Sequence, residues 1–185
     1  GIPVVVHGSG HWDLGMETMN VSTGANAIGH PMSLAIALAE MLLNNLFERF
    51  AGLRVAYLEG GPLWLLMAFE RLSRSYEAGI PINPRGELLQ LPEGQTVADY
   101  IRGLIQAGRL VVGIEGGESD LPYAIKVAGE QAFMFSSDFP HEVNIHTVGK
   151  EIRELREREG LSDAAKQAVL RGNAARFYKL DSVVN

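Results

Sequence analysis

At 185 residues, with 46% hydrophobic and 21% charged side chains, the chain has the size and composition of one globular domain with a substantial core. A net charge of −6 argues against nucleic acid or an anionic membrane surface as the main partner, since both require clustered Lys and Arg. The absence of cysteine excludes disulfides, thiolate metal sites and a Cys nucleophile, and fits a cytoplasmic protein.

The longest apolar segment, Leu34 to Leu46, is interrupted by Glu40, Asn44 and Asn45 and falls short of the ~18 residues of a membrane span. The first residues carry no basic leader of a signal peptide and read at once as a strand. A start inside a strand suggests a piece of something larger.

Ile2 to Val6 is a β-branched run of the kind buried on both faces of a parallel sheet, and it ends in His7-Gly8-Ser9-Gly10-His11. Trp12 to Gly29 lacks periodicity and reads as a long functional loop, after which Pro31 opens a helix over about Met32 to Phe50. A second strand, Leu53 to Leu58, ends in Glu59-Gly60-Gly61, and a helix runs from Pro62 to about Arg74. An irregular Pro- and Gly-rich segment, Gly79 to Gly94, precedes a short helix from Val97 to Ala107 capped by Thr96. The third strand, Leu110 to Ile114, ends in Glu115-Gly116-Gly117-Glu118 and leads to a helix over Leu121 to Ala128. The fourth, Ala132 to Ser136, ends in Ser137-Asp138, followed by helices over about Glu142 to Glu159 and Asp163 to Ala175.

The unit of strand, polar strand end, loop and helix thus occurs four times, which implies an α/β fold with a parallel sheet and right-handed crossovers. Ligand chemistry in such sheets lies at the carboxyl ends of the strands. His7, Glu59, Glu115 or Glu118, and Asp138 stand at successive ends, and a shared site explains four polar ends better than chance does.

Four pieces of sequence carry a resemblance: Pro3-Val4-Val5-Val6-His7, the run from Phe47 to Val55, Phe135-Ser136-Ser137-Asp138-Phe139-Pro140-His141, and the ending from Gly172 to Tyr178. In this order they resemble the amidohydrolase-related (amidohydrolase 2) metal-dependent hydrolases, a family similar to aminocarboxymuconate semialdehyde decarboxylase. The resemblance implies a (β/α)8 TIM barrel of ~250 residues or more. The single domain 1–185 would be its C-terminal half, strands five to eight. It also implies a metal held by a His-x-His pair on the first strand, a His ending the fifth and an Asp ending the eighth. His7 and Asp138 match the last two, and the His-x-His pair has no counterpart in this chain.

Zinc is the first expectation for that ion, with manganese or iron equally acceptable to His and Asp. Two ligands are fewer than the three of most catalytic zinc sites, so this chain alone should bind metal weakly. Decarboxylases of the group place a His before the Gly-Gly of the sixth strand, where this sequence has Glu59. Glu59 is therefore a candidate acid–base residue, beside Asp138 as ligand and proton acceptor.

His11, Trp12 and His30 are candidates for contact with a small-molecule substrate. The bland readings are that Glu118 caps a helix, His141 orders the turn after Pro140, and Arg176 pairs with an acid. The function implied is metal-dependent hydrolysis, with non-oxidative decarboxylation or a non-catalytic half-barrel as alternatives. Unpaired strand edges further imply a homo-oligomer, or pairing with a missing N-terminal half.

Overall fold

The computed structural model describes residues 1–9, 15–79, 88–141 and 143–180. Four strands, β1 (Val4–His7), β2 (Val55–Leu58), β3 (Leu110–Ile114) and β4 (Phe133–Phe135), form one parallel sheet in chain order. The helices between and after them are α1 (Ser22–Leu43), α2 (Leu46–Arg49), α3 (Leu63–Glu77), α4 (Val97–Gln106), α5 (Leu121–Ala128), α6 (Val148–Glu157), α7 (Asp163–Gln167) and α8 (Asn173–Tyr178). These are four strand–helix units on one parallel sheet, as the sequence pattern implied.

The period-two alternation of the strands sorts their side chains into two layers. Val55, Tyr57, Leu110, Val112, Ile114 and Phe133 face the helices and join Leu38, Leu65, Ile101 and Ile125 in the main core. Ala56, Val111 and Met134 face the other way, where Phe177 of α8 covers them. Val5 pairs with Ala56 and His7 with Leu58 in the register, so His7 lies on this inner face at the carboxyl end of its strand.

Three expectations are corrected. First, β1 is not buried on both faces. Val4 and Val5 are 41% and 47% exposed, because among the described residues β1 is an edge strand paired with β2 alone. Second, the segment before His30 is helical from Ser22, and Pro31 lies inside α1 rather than in its first turn. Burial selects this conformation: the buried residues step by four (Ala25, Gly29), by five across Pro31 to Leu34, and by four again (Leu38, Leu42). That continuous stripe offsets the ~3 kcal/mol that an interior proline costs. Third, α1 stops at Leu43, since Asn45 takes a left-handed conformation (φ 60°) before α2 begins. At 22 residues, α1 has the length and apolar content of a membrane span, although the sequence suggested no segment of that kind. In this fold it packs on α3 and the sheet.

The family-like ending Gly172 to Tyr178 is a device for holding the C-terminal helix under the sheet. The buried Asn173 side chain donates from Nδ2 to the carbonyls of Glu130 and Phe133, both at 2.7 Å, where the chain enters β4. Arg176 donates to the carbonyls of Ile105 (3.4 Å) and Gln131 (3.2 Å), not to an acid as the sequence suggested. The buried Arg54 donates to the carbonyls of Phe177 and Gly1 and lies 5.7 Å from the Phe177 ring. These contacts lie at the amino ends of the strands, opposite the strand ends that carry the candidate site. Asn173→Ala strands two buried carbonyls, and chemical denaturation should show a loss of about 2–4 kcal/mol with the candidate site unaltered.

Candidate active site and metal centre

The carboxyl ends of the four strands converge on a cleft of about 390 Å³. His7, Glu59, Glu115 and Asp138, one from each strand end, line it, joined by His30 and Asn26 of α1 and by His141. Alternation and parallel register deliver the strand-end residues, while local backbone geometry aims them. Glu59 and Asp138 take positive φ values of 68° and 53°. For a non-glycine residue, that left-handed conformation is uncommon and often marks a functional position.

Glycines make the approach possible. A Cβ at Gly8 would lie 2.9 Å from His30 Cδ2 and 3.1 Å from the Glu59 carbonyl, so only glycine lets the end of β1 close onto both. Ser9 N–H donates to Ser33 Oγ (3.2 Å), and Ser33 donates to the His30 carbonyl (2.9 Å), which ties this loop to α1 just past Pro31.

His7 and Glu59 form a close pair, with Nε2 to Oε1 at 2.6 Å. The other His7 nitrogen, Nδ1, lies 2.5 Å from the Gly8 carbonyl, which can only accept, so Nδ1 carries hydrogen. The 2.6 Å contact places Nε2 and the carboxylate oxygen within hydrogen-bond distance. His30 is set in the same manner: its Nδ1 faces the Asn26 carbonyl at 2.7 Å, and its Nε2 stands 3.8 Å from Glu59 Oε2.

Across the cleft, His141 Nδ1 lies 3.2 Å from Asp138 Oδ1, and the His141 amide donates to the Asp138 carbonyl at 2.8 Å. One donor atom from each of Glu59, Asp138 and His141 falls within 4.8 Å of the other two. Two carboxylates and an imidazole are ligand types for zinc, manganese or iron, so the residues fit a divalent ion chemically. Among the described residues this trio groups Asp138 with Glu59 and His141, whereas His7 is engaged at both nitrogens.

The structure thus brings together His7, His30, Glu59 and Asp138 of the residues picked from the sequence. His11 and Trp12 lie outside the described residues. Asn26 was hidden because its segment read as a loop, while a helix starting at Ser22 would have placed it one turn before His30. His141 was legible only as a turn residue, although its position three after Asp138 is the signal for a shared corner.

Of the two acids ending β3, Glu115 lines the cleft and Glu118 turns away to the loop after β2. A Cβ at Gly61, where φ is 64°, would meet Glu118 Oε2 at 3.0 Å, so Gly61 is needed for both conformation and room. Burial, reinforced by nearby Glu115 and Asp120, pushes the Glu118 carboxyl up to about 7 from an ordinary 4.5. The folded state therefore favours the neutral acid. Its contribution to stability is complete below pH ~4.5 and disappears as pH rises through ~7. Glu118→Gln should leave stability unchanged at pH 4 and raise it by about 1–3 kcal/mol at pH 8, read from urea midpoints at both values.

An amidohydrolase family model matches residues 116–180. The 2-amino-3-carboxymuconate-6-semialdehyde decarboxylase of Dictyostelium discoideum is 25% identical over 154 residues, covering 83% of this chain and 39% of that protein. The 5-carboxyvanillate decarboxylase of Sphingomonas paucimobilis superposes with a TM-score of 0.68 at 20% identity, over 96% of this chain and 49% of that one. The 5-carboxyvanillate decarboxylase of Novosphingobium aromaticivorans, solved with manganese and 4-hydroxy-3-methoxy-5-nitrobenzoic acid, gives 0.69 at 19% identity, over 96% and 48%. The chain spans about half the length of these structures and 39% of the curated relative. The family match, the relative and the fold bear out the resemblance read from the sequence: the chain is related to the amidohydrolase-related family and is built as the C-terminal half of its barrel.

Proposed function

We propose that this chain is the C-terminal half of a metal-dependent, non-oxidative decarboxylase acting on a small carboxylated substrate at the carboxyl ends of its strands. The observation that carries the reading is the pairing of His7 Nε2 with Glu59 Oε1 at 2.6 Å on the cleft wall, an imidazole and a carboxylate within proton-transfer distance. Non-oxidative decarboxylation breaks a carbon–carbon bond, releases carbon dioxide and leaves the bonding electron pair on a carbon that must then be protonated. An imidazole–carboxylate pair at the strand end where the resemblance implies an acid–base His suits that need. The decarboxylase relative and the decarboxylase neighbours support the order of preference.

A divalent ion would be held at Asp138, with His7 by the resemblance or with Glu59 and His141 by proximity. It would polarise substrate oxygens and draw off developing charge. His30, whose Nδ1 faces the Asn26 carbonyl, stands 3.8 Å from the second Glu59 oxygen.

Hydrolysis is the second reading, favoured by the 3.2 Å pair of Asp138 and His141, a carboxylate and imidazole suited to take a proton from water. Because the chain presents an edge strand and covers half of its relatives' length, the proposed partner is a complementary half-barrel, whether an N-terminal half or a second copy.

The deciding assay uses the protein in the length its gene encodes, with manganese or zinc, offered hydroxybenzoate and carboxymuconate-type acids alongside amide and lactone substrates. Carbon dioxide release from the acids supports the first reading. Amide or lactone cleavage without carbon dioxide release supports the second and overturns the first.

A further inference from the structure

We infer that Glu118 is a positioning residue for the rim after β2: its carboxyl lies over Gly61 and holds the turn Glu59-Gly60-Gly61 in the conformation that presents Glu59 to the cleft. The inference rests on the proposed function only in taking Glu59 to belong to the working cleft. It concerns the loop behind that residue, whichever reaction the cleft performs.

The turn does not keep this shape by itself. Glu59 and Gly61 both have left-handed φ values, 68° and 64°, and a non-glycine residue persists there only where its surroundings fix it. Two contacts supply the fixing. Leu34 of α1 and Trp64 of α3, both buried, close on Gly60, where a Cβ would lie 2.6 Å from Leu34 Cδ1 and 3.0 Å from Trp64 Nε1. At Gly61 the contact comes from Glu118, an acid of another loop: a Cβ there would lie 3.0 Å from Oε2 and 3.5 Å from Oε1. The Glu118 loop is itself anchored, because Gly116 abuts α6 at Glu151 and its carbonyl accepts from Arg158 Nη2 at 2.7 Å. Helix α6 thus reaches the rim through Gly116, Glu118 and Gly61.

The contact suits a neutral acid, since a charge buried against glycine backbone costs more than a carboxylic acid does. The surroundings favour that form. Burial, with Glu115 and Asp120 of the same loop, outweighs a backbone hydrogen bond at Glu115 and the attraction of Arg158, and the carboxyl rises to about 7. The other charged groups on the elements packed there are acids too: Glu59 in the turn, and Glu151 and Glu154 on the face of α6 toward Gly116 and Gly117. Ionisation above neutral pH therefore puts charge on a half-buried group among acids, and the turn loosens. The rim after β2, and Glu59 with it, is held in acid and released in base.

Hydrogen exchange of the purified protein, in the length its gene encodes, tests this on the peptide from Leu58 to Trp64 at pH 6 and pH 8, with rates corrected for the intrinsic effect of pH. In the parent, protection of the turn should fall about tenfold from pH 6 to pH 8. Glu118→Gln, which keeps the shape and stays neutral, should show the parent's pH 6 protection at both values. Glu118→Ala should exchange about tenfold faster than the parent at pH 6. The peptide from Val97 to Gln106 in α4 should be unchanged in both variants, which shows the effect to be local; should Glu118→Ala expose α4 as well, Glu118→Gln alone decides. Parent-like protection of the turn at pH 6 in Glu118→Ala overturns the inference. So does a loss at pH 8 that persists in Glu118→Gln, because the controlling proton then sits on another group. No substrate or ion is added, so either result leaves the decarboxylase reading to its own assay.

Discussion

Asp138→Asn should lower turnover by about 10³-fold while leaving the melting temperature close to that of the parent. Asp138 sits at φ 53°, and asparagine tolerates the left-handed region as well as aspartate does, so the exchange keeps backbone and volume. What it removes is charge at the one residue common to both ligand sets. Asp138 is the ligand carried over from the resemblance, a member of the trio within 4.8 Å, and the partner of His141. Asp138→Ala should lose activity to the same degree and stability as well, because alanine lacks that tolerance. A kcat within about tenfold of the parent in Asp138→Asn would remove the cleft as the seat of chemistry.

Gly116→Ala should destabilise the protein by about 3 kcal/mol or prevent folding. A Cβ there would lie 2.3 Å from the Glu151 carbonyl oxygen and under 3 Å from two further backbone atoms of the same residue. Those atoms belong to a turn of α6, which cannot swing aside as a side-chain tip can. The same glycine's carbonyl accepts from Arg158 Nη2 at 2.7 Å, so displacement of α6 also breaks the contact at its far end. Glu115 precedes Gly116 and lines the cleft, so a surviving fraction should show impaired activity. The control is Gly117→Ala, where a Cβ would meet only Glu154 Oε2 at 3.9 Å. Thermal and urea unfolding should place this variant near the parent; equal losses in both would show that chain flexibility, not the approach of α6, is what matters.

The sequence was most legible where local and tertiary preferences agreed. The third strand was read as Leu110 to Ile114 and the following helix as Leu121 to Ala128, and both match the structure. There, continuous burial, turn glycines and Pro122 in the first turn all point to one answer. Legibility failed at α1, where Val21 supplies no side-chain cap and Pro31 mimics a helix start although burial across it holds the helix together. It failed also at β1, since a run of valines signals β structure without saying how many neighbours the strand has.

Within the site, the strand-end positions of His7, Glu59 and Asp138 followed from alternation of strands and loops. The His7–Glu59 contact did not, because it depends on a positive φ at Glu59 and on the missing Cβ at Gly8. Sequence spacing encodes neither.

The Asn173, Arg176 and Arg54 contacts that seat Phe177 beneath the sheet have a consequence for how such barrels can be divided and recombined. The floor under this sheet is made from this chain's own last helix, bonded to its own strand starts. A division of the barrel in front of this sheet would therefore fall across the rim and leave the base beneath these four strands whole.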